Sequence, residues 1–196
     1  MTEKKNCVIQ IYYDEAETIL EYEYFAFNDK IEGEYKTYYD NGQLMQIYYY
    51  KNHNTEGEYK IYHENGQTLG TCNHKNGKQE GEYKSYRENG QLEIIRNHKD
   101  SKLEGIYKSY HENGQLKVIC NYNDNKLEGR YESYWNNGQL STVCNYKNDK
   151  KEGECIEYYS DGQIHSIDNY KNGKNWKDIN YIIIFIIYDL SVMNKI

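Results

Sequence analysis

The 24-residue stretch Glu104-Gly-Ile-Tyr-Lys-Ser-Tyr-His-Glu-Asn-Gly-Gln-Leu-Lys-Val-Ile-Cys-Asn-Tyr-Asn-Asp-Asn-Lys-Leu127 returns in both directions along the chain without an insertion or deletion. Glu-Gly recurs at Glu32, Glu56, Glu80, Glu104, Glu128 and Glu152. Asn-Gly-Gln recurs at Asn41, Asn65, Asn89, Asn113 and Asn137, and Asp161 opens the sixth copy. A fixed period of this size marks a repeat architecture, in which one supersecondary unit buries its surface only against its neighbours. The chain divides accordingly into a worn first copy over 1–31, six copies over 32–174, and an apolar tail over 175–196. The worn copy reads as a cap, since the outer edge of a terminal repeat has no partner.

Two turn signals punctuate each copy. Asn-Gly, as at Asn41-Gly42, predicts a two-residue type I′ hairpin. The second signal is Asn76-Gly77 or Asn172-Gly173, weakened elsewhere to Asp100-Ser101, Asp124-Asn125 and Asn148-Asp149. The runs between turns alternate rather than following helical spacing: Leu116, Val118, Cys120 and Tyr122 share one face, as do Leu140, Thr142, Cys144 and Tyr146. The expected fold is all-β: an elongated, open, twisted and solenoid-like single-layer antiparallel meander of tandem β-hairpins. Composition agrees. Mean hydropathy is −1.10, too low for a deep two-layer core. There are 25 tyrosines and no proline. Tyrosine buries a ring while its hydroxyl stays wet, and proline would interrupt a ladder.

A net charge of −7 disfavours nucleic acid, which requires a basic footprint. No signal peptide or spanning segment is read from the sequence, so the expected location is intracellular, with a membrane-peripheral position as the alternative. Cys72, Cys120 and Cys144 share one repeat slot, which places them two strands, roughly 9–10 Å, apart. That is beyond disulfide reach, so Cys120 and Cys144 are not expected to bridge, and the odd total of 5 cysteines suggests reduced thiols. No Cys-x-x-Cys pair supports a metal site, and no phosphate loop or nucleophile–base pair is found. No catalytic, cofactor-binding or metal-binding residue is expected, and no cofactor.

The repeat resembles the MORN repeat family, in its variant form with the core Gly-x-Tyr-x-x-Tyr-x-x-Asn-Gly-Gln-Leu. Copy three carries most of it in Gly81, Tyr83, Tyr86, Asn89, Gly90, Gln91 and Leu92. Tyr170-Lys171-Asn172-Gly173-Lys174 gives the second half. Cys155 replaces the first tyrosine in copy six, and Thr68 replaces the leucine in copy two. The resemblance implies a protein-binding or membrane-associated module without catalytic residues of its own, or an antitoxin-like inhibitor of a partner protein.

Several files of equivalent residues follow. The glutamates of the Glu-Gly pairs read as structural, bonding neighbouring lysines or backbone; Lys36, Lys60, Lys84 and Lys108 run parallel to them. His63 and His111 share a slot with Tyr39, Arg87, Trp135 and Tyr159, which reads as a stacking position for a flat ring. The candidate partner-binding residues are two tyrosine files: Tyr35, Tyr59, Tyr83, Tyr107 and Tyr131, and Tyr38, Tyr62, Tyr86, Tyr110, Tyr134 and Tyr158. Three residues apart, the two files point to opposite faces unless the preceding glycine introduces a bulge or admits a neighbouring ring over its backbone. Exposed aromatic rows suit protein interfaces, while packing ring on ring along the ladder is the competing role. The sequence reads as a non-catalytic protein-interaction module whose partner the residues do not name. A peripheral membrane or phospholipid-binding module is the alternative. The apolar run 179–188 is too short to span a bilayer and is expected to cap the sheet edge or self-associate.

Overall fold

A computed structural model describes residues 6–16, 18–28 and 30–177; the run 179–188 lies outside the described residues. The fold is all-β, with nineteen antiparallel strands among the described residues. They fall into two compact units, the first ending at Gly105 and the second starting at Ile106. In the first, Asn6–Tyr12, Leu20–Phe27, Lys30–Tyr38, Leu44–Lys51, Gly57–Tyr62, Thr68–Lys75, Lys78–Tyr86 and Leu92–Lys99 pair in chain order. In the second, Leu116–Asn123, Gly129–Tyr134, Leu140–Lys147, Gly153–Tyr158 and Ile164–Lys171 do the same.

The first turn signal does not form the two-residue type I′ hairpin that the sequence leads one to expect. At Asn41-Gly42 only the glycine has positive φ, at 82°. Gly42 N donates to Tyr39 O (2.9 Å), and Tyr39 N donates to Gln43 O (2.8 Å). This is a type I turn followed by a left-handed glycine, the longer hairpin loop rather than the two-residue type I′. Asn41 serves through its side chain, Oδ1 accepting from Gln43 N at 2.9 Å, an Asx arrangement. The type I′ turns are at the second signal. Asn76 (φ 51°) and Gly77 (φ 77°) join the directly paired Lys75 and Lys78. Asp100-Ser101 and Asn148-Asp149 hold the same conformation without glycine.

The Glu-Gly pair forms the bulge. Gly33 lies at φ 86°, and register slips between Tyr24 and Ala26 on the facing strand. No ring approaches: a Cβ on Gly33 would meet nothing within 4 Å, so backbone conformation alone calls for glycine. The glutamates each cap a type I′ turn. Oε2 of Glu32, Glu56, Glu80, Glu128 and Glu152 accepts from the backbone N–H of Asn52, Asn76, Asp100, Asn148 and Asn172, at 2.8–3.2 Å. The lysine file pairs elsewhere, Lys36 with Glu34 (2.8 Å) and Lys60 with Glu58 (2.9 Å).

Candidate functional site

Strand alternation gives the two tyrosine files opposite sides, since the bulge at each Glu-Gly pair precedes both rings. Tyr35 stands opposite Tyr48 in the ladder, and Tyr59 opposite Cys72. Rings of this file pack against the second aromatic slot of the same copy. Tyr35 meets Tyr50 (6.1 Å between centroids), Tyr59 meets His74 (5.5 Å) and Tyr83 meets His98 (6.4 Å), all edge to face. In the second unit Tyr107 meets Tyr122 (5.9 Å) and Tyr131 meets Tyr146 (5.6 Å) in the same way. Each such pair contributes about 0.5–1.5 kcal/mol beyond its buried area. Cys72, Ser85, Ser109, Cys120 and Cys144 are buried along this side. A strip of small residues under leaning rings is the core of a sheet without a second layer.

The other file lies among charges. Tyr38 Oη donates to Glu23 Oε1 at 2.7 Å, and Glu23 stands opposite Lys36. Tyr134 Oη donates to Glu132 Oε2, and burial together with that carboxylate pushes its phenol up to about 12. Glu132 in turn pairs with Arg130 at 2.6 Å. All eleven candidate tyrosines are half-buried. The first file is therefore embedded in an aromatic face with few charges, the second in a face of Glu–Lys and Arg–Glu pairs.

The ring slot of His63 and His111 proves to be a hydrogen-bonding position. Tyr39 Oη donates to Tyr62 O (2.7 Å) and Trp135 Nε1 to Tyr158 O (3.1 Å). His63 Nε2 meets Tyr86 O at 2.9 Å, and His111 Nε2 meets Tyr134 O at 2.8 Å. Each ring thus ties its copy to the next through a backbone carbonyl. The signal was in the sequence: Tyr, His, Arg and Trp share a distal N–H or O–H as well as flatness.

Cys120 remains a free thiol, but Cys144 and Cys155 are joined by a disulfide, correcting the expectation of reduced thiols. Equal slots are indeed too far apart. The ladder, however, pairs Val143 with Ile156, which sets Cys144 directly opposite Cys155 on the adjacent strand, Cα–Cα 4.3 Å. Burial pushes the free Cys120 thiol up to about 11, which keeps it protonated and inert. Among the described residues no group of three or more His, Cys, Asp or Glu is placed to hold a metal.

His74 and His98 introduce a pH dependence. Burial holds both imidazoles below their ordinary value, with Arg96 adding to the effect at His98. Neither Nδ1 has a hydrogen-bond partner among the described residues. The folded state prefers the neutral rings, so the unfolded chain binds more protons below the unperturbed value of about 6.5. Their contribution is complete above that value and is lost as pH falls through it. Melting temperature should drop between about pH 7.5 and about pH 5.5. The double variant His74→Tyr/His98→Tyr, which installs the ring found at Tyr50 and Tyr122, should flatten that slope.

A comparison with curated proteins returns no significant match. The family model for the MORN repeat variant matches residues 31–52, 55–76, 79–100, 103–124, 127–148 and 151–172, more than half of the chain. Repeats of this kind are generally non-catalytic and suggest modules that contact proteins or membrane lipids. Six tandem matches in register with the hairpins place the chain in the MORN repeat variant family.

Proposed function

We propose that the chain is a non-catalytic module that binds a protein partner through its first tyrosine file, on the face of Tyr35, Tyr59 and Tyr83 in the first unit and on the corresponding face of Tyr107 and Tyr131 in the second. The observation that supports this reading is the segregation of charge between the two faces. Glu34–Lys36, Glu58–Lys60, Glu82–Lys84 and Arg130–Glu132 ion pairs belong with the second tyrosine file. Interface cores are depleted of charge and enriched in tyrosine, which matches the first file's surroundings.

A second reading, contact with an anionic membrane surface, has its own support. Lysines stand directly opposite each other beside two turns of the second unit: Lys147 and Lys150, Lys171 and Lys174. Like charges in direct opposition cost stability, and an anionic surface would relieve them. Affinity capture with the full chain as bait, run beside flotation with phosphatidylserine vesicles, separates the readings. The proposal expects a protein captured in fixed proportion and no lipid-dependent flotation. Flotation on phosphatidylserine without any captured protein would overturn it.

A further inference from the structure

At successive junctions between copies, the central slot of one copy meets the first tyrosine slot of the next. Gln46 pairs with Ile61 and Ile47 with Lys60, which sets Tyr48 against Tyr59; their rings lie 5.6 Å apart. In the second unit Val118 pairs with Ser133 and Ile119 with Glu132, which sets Cys120 against Tyr131. Between copies five and six the ring is missing, and Cys155 occupies its place opposite Cys144. Both cysteines are almost wholly covered, at 1% and 3% exposure.

The substitution has a second effect. In five copies the ring of the first file packs edge to face on the second aromatic slot, but Tyr170 has no such ring to meet. Lys151 Nζ lies over Tyr170 instead, 4.9 Å from its centroid. The sixth copy therefore lacks the edge-to-face ring pair that each of the other five carries on this face. Its strand Ile164–Lys171 also leaves Ile164 (55%) and Ile167 (48%) exposed. Among the described residues the sixth copy pairs with the fifth alone, and a repeat frays when such a junction is weak.

We infer that Cys144 and Cys155 form a reversible thiol–disulfide staple, so that the redox state of the surroundings sets how firmly the sixth repeat is held on the fifth. The inference goes beyond partner binding and needs no assumption about the partner. The geometry suits reversibility. The paired strands Leu140–Lys147 and Gly153–Tyr158 keep the two residues opposed through their own ladder, and a directly opposed antiparallel pair without mutual hydrogen bonds is separated by about 4.5 Å. Closure therefore requires no change of register. The oxidant is a low-molecular-weight disulfide such as glutathione disulfide. One cysteine thiolate attacks it, breaking its S–S bond and releasing one small thiol, and the second cysteine then displaces the other. Two electrons pass from the cysteines to the small disulfide, and their protons leave with the two released thiols. Burial of both sulfurs makes exchange wait on local opening of the last hairpin.

The test is amide hydrogen exchange on the full chain, first reduced and then oxidised with glutathione disulfide, with thiol alkylation scoring the bond. Amides of 164–171 should exchange at least tenfold more slowly in the oxidised chain, while those of 129–134 change little. Cys155→Tyr restores the arrangement of the Cys120–Tyr131 junction and should give protected amides under both conditions. The double variant Cys144→Ser/Cys155→Ser should behave as the reduced chain under both. Cys144 and Cys155 that stay alkylatable in excess glutathione disulfide would overturn the inference. So would a bond that forms without altering exchange.

Discussion

Gly114→Val should destabilise the protein by an amount at the upper end of roughly 1–3 kcal/mol, the range for residues forced into sparsely populated backbone regions. Gly114 lies at φ 82° in the type I turn of copy four. An added Cβ would meet no atom within 4 Å there, so the whole cost is conformational, and it is greatest for a β-branched residue. Displacing the backbone would also disturb Gln115 N, which donates to Asn113 Oδ1 at 3.1 Å. Against this stands His111→Ala, three residues earlier, which removes the contact of Nε2 with Tyr134 O. A half-buried hydrogen bond of that kind contributes about 1 kcal/mol, and water can replace part of it. Urea unfolding should therefore show a clearly larger loss for Gly114→Val. Equal midpoints for the two variants would contradict the left-handed turn.

Much of this architecture was legible because a repeat presents each slot six times. The period, the alternation and the turn spacing together specify an antiparallel meander, and its strands begin and end where the turn signals lie. The turn types were less legible. Asn-Gly is the strongest short-range signal for a type I′ turn, but at Asn41 the asparagine side chain satisfies Gln43 N and leaves only Gly42 in the left-handed region. Asp100-Ser101 adopts type I′ without glycine because its neighbours help. Glu80 caps Asp100 N, and Ser101 N donates to Gln79 O of the adjoining copy at 2.9 Å. Such help comes partly from the far end of the same repeat and partly from the preceding one, which local propensity does not register.

The disulfide was missed for a related reason. Comparing like slots correctly separated Cys120 from Cys144, but bonds across a ladder join unlike slots on adjacent strands. The same offset explains the aromatic pairs: Tyr131 and Tyr146 meet across two strands of one copy, and neither file is continuous by itself. That the glutamates serve the backbone was legible as a structural role. Their particular donor, a turn N–H twenty residues on, depends on the bulge that the adjacent glycine creates.

The proposed recognition face should respond asymmetrically to charge. Lysine in place of a first-file ring puts a cation where the face carries few, whereas lysine in the second file adds to a surface that already holds lysines. The pair Tyr59→Lys/Tyr107→Lys should weaken binding of the captured partner by at least tenfold, in line with the roughly 2 kcal/mol or more lost at aromatic hot spots. Tyr59→Phe/Tyr107→Phe, which keeps the rings, should bind nearly as well as the parent chain. Because every one of these tyrosines is half-buried, each variant's melting temperature is measured first, and affinities are compared only among folded chains.

Titration of the captured partner against Tyr59→Lys/Tyr107→Lys and Tyr62→Lys/Tyr110→Lys, side by side, tests the central claim most directly. The claim predicts that the first pair loses binding while the second retains it within a few-fold. Loss confined to Tyr62→Lys/Tyr110→Lys would assign recognition to the charged face and contradict the account.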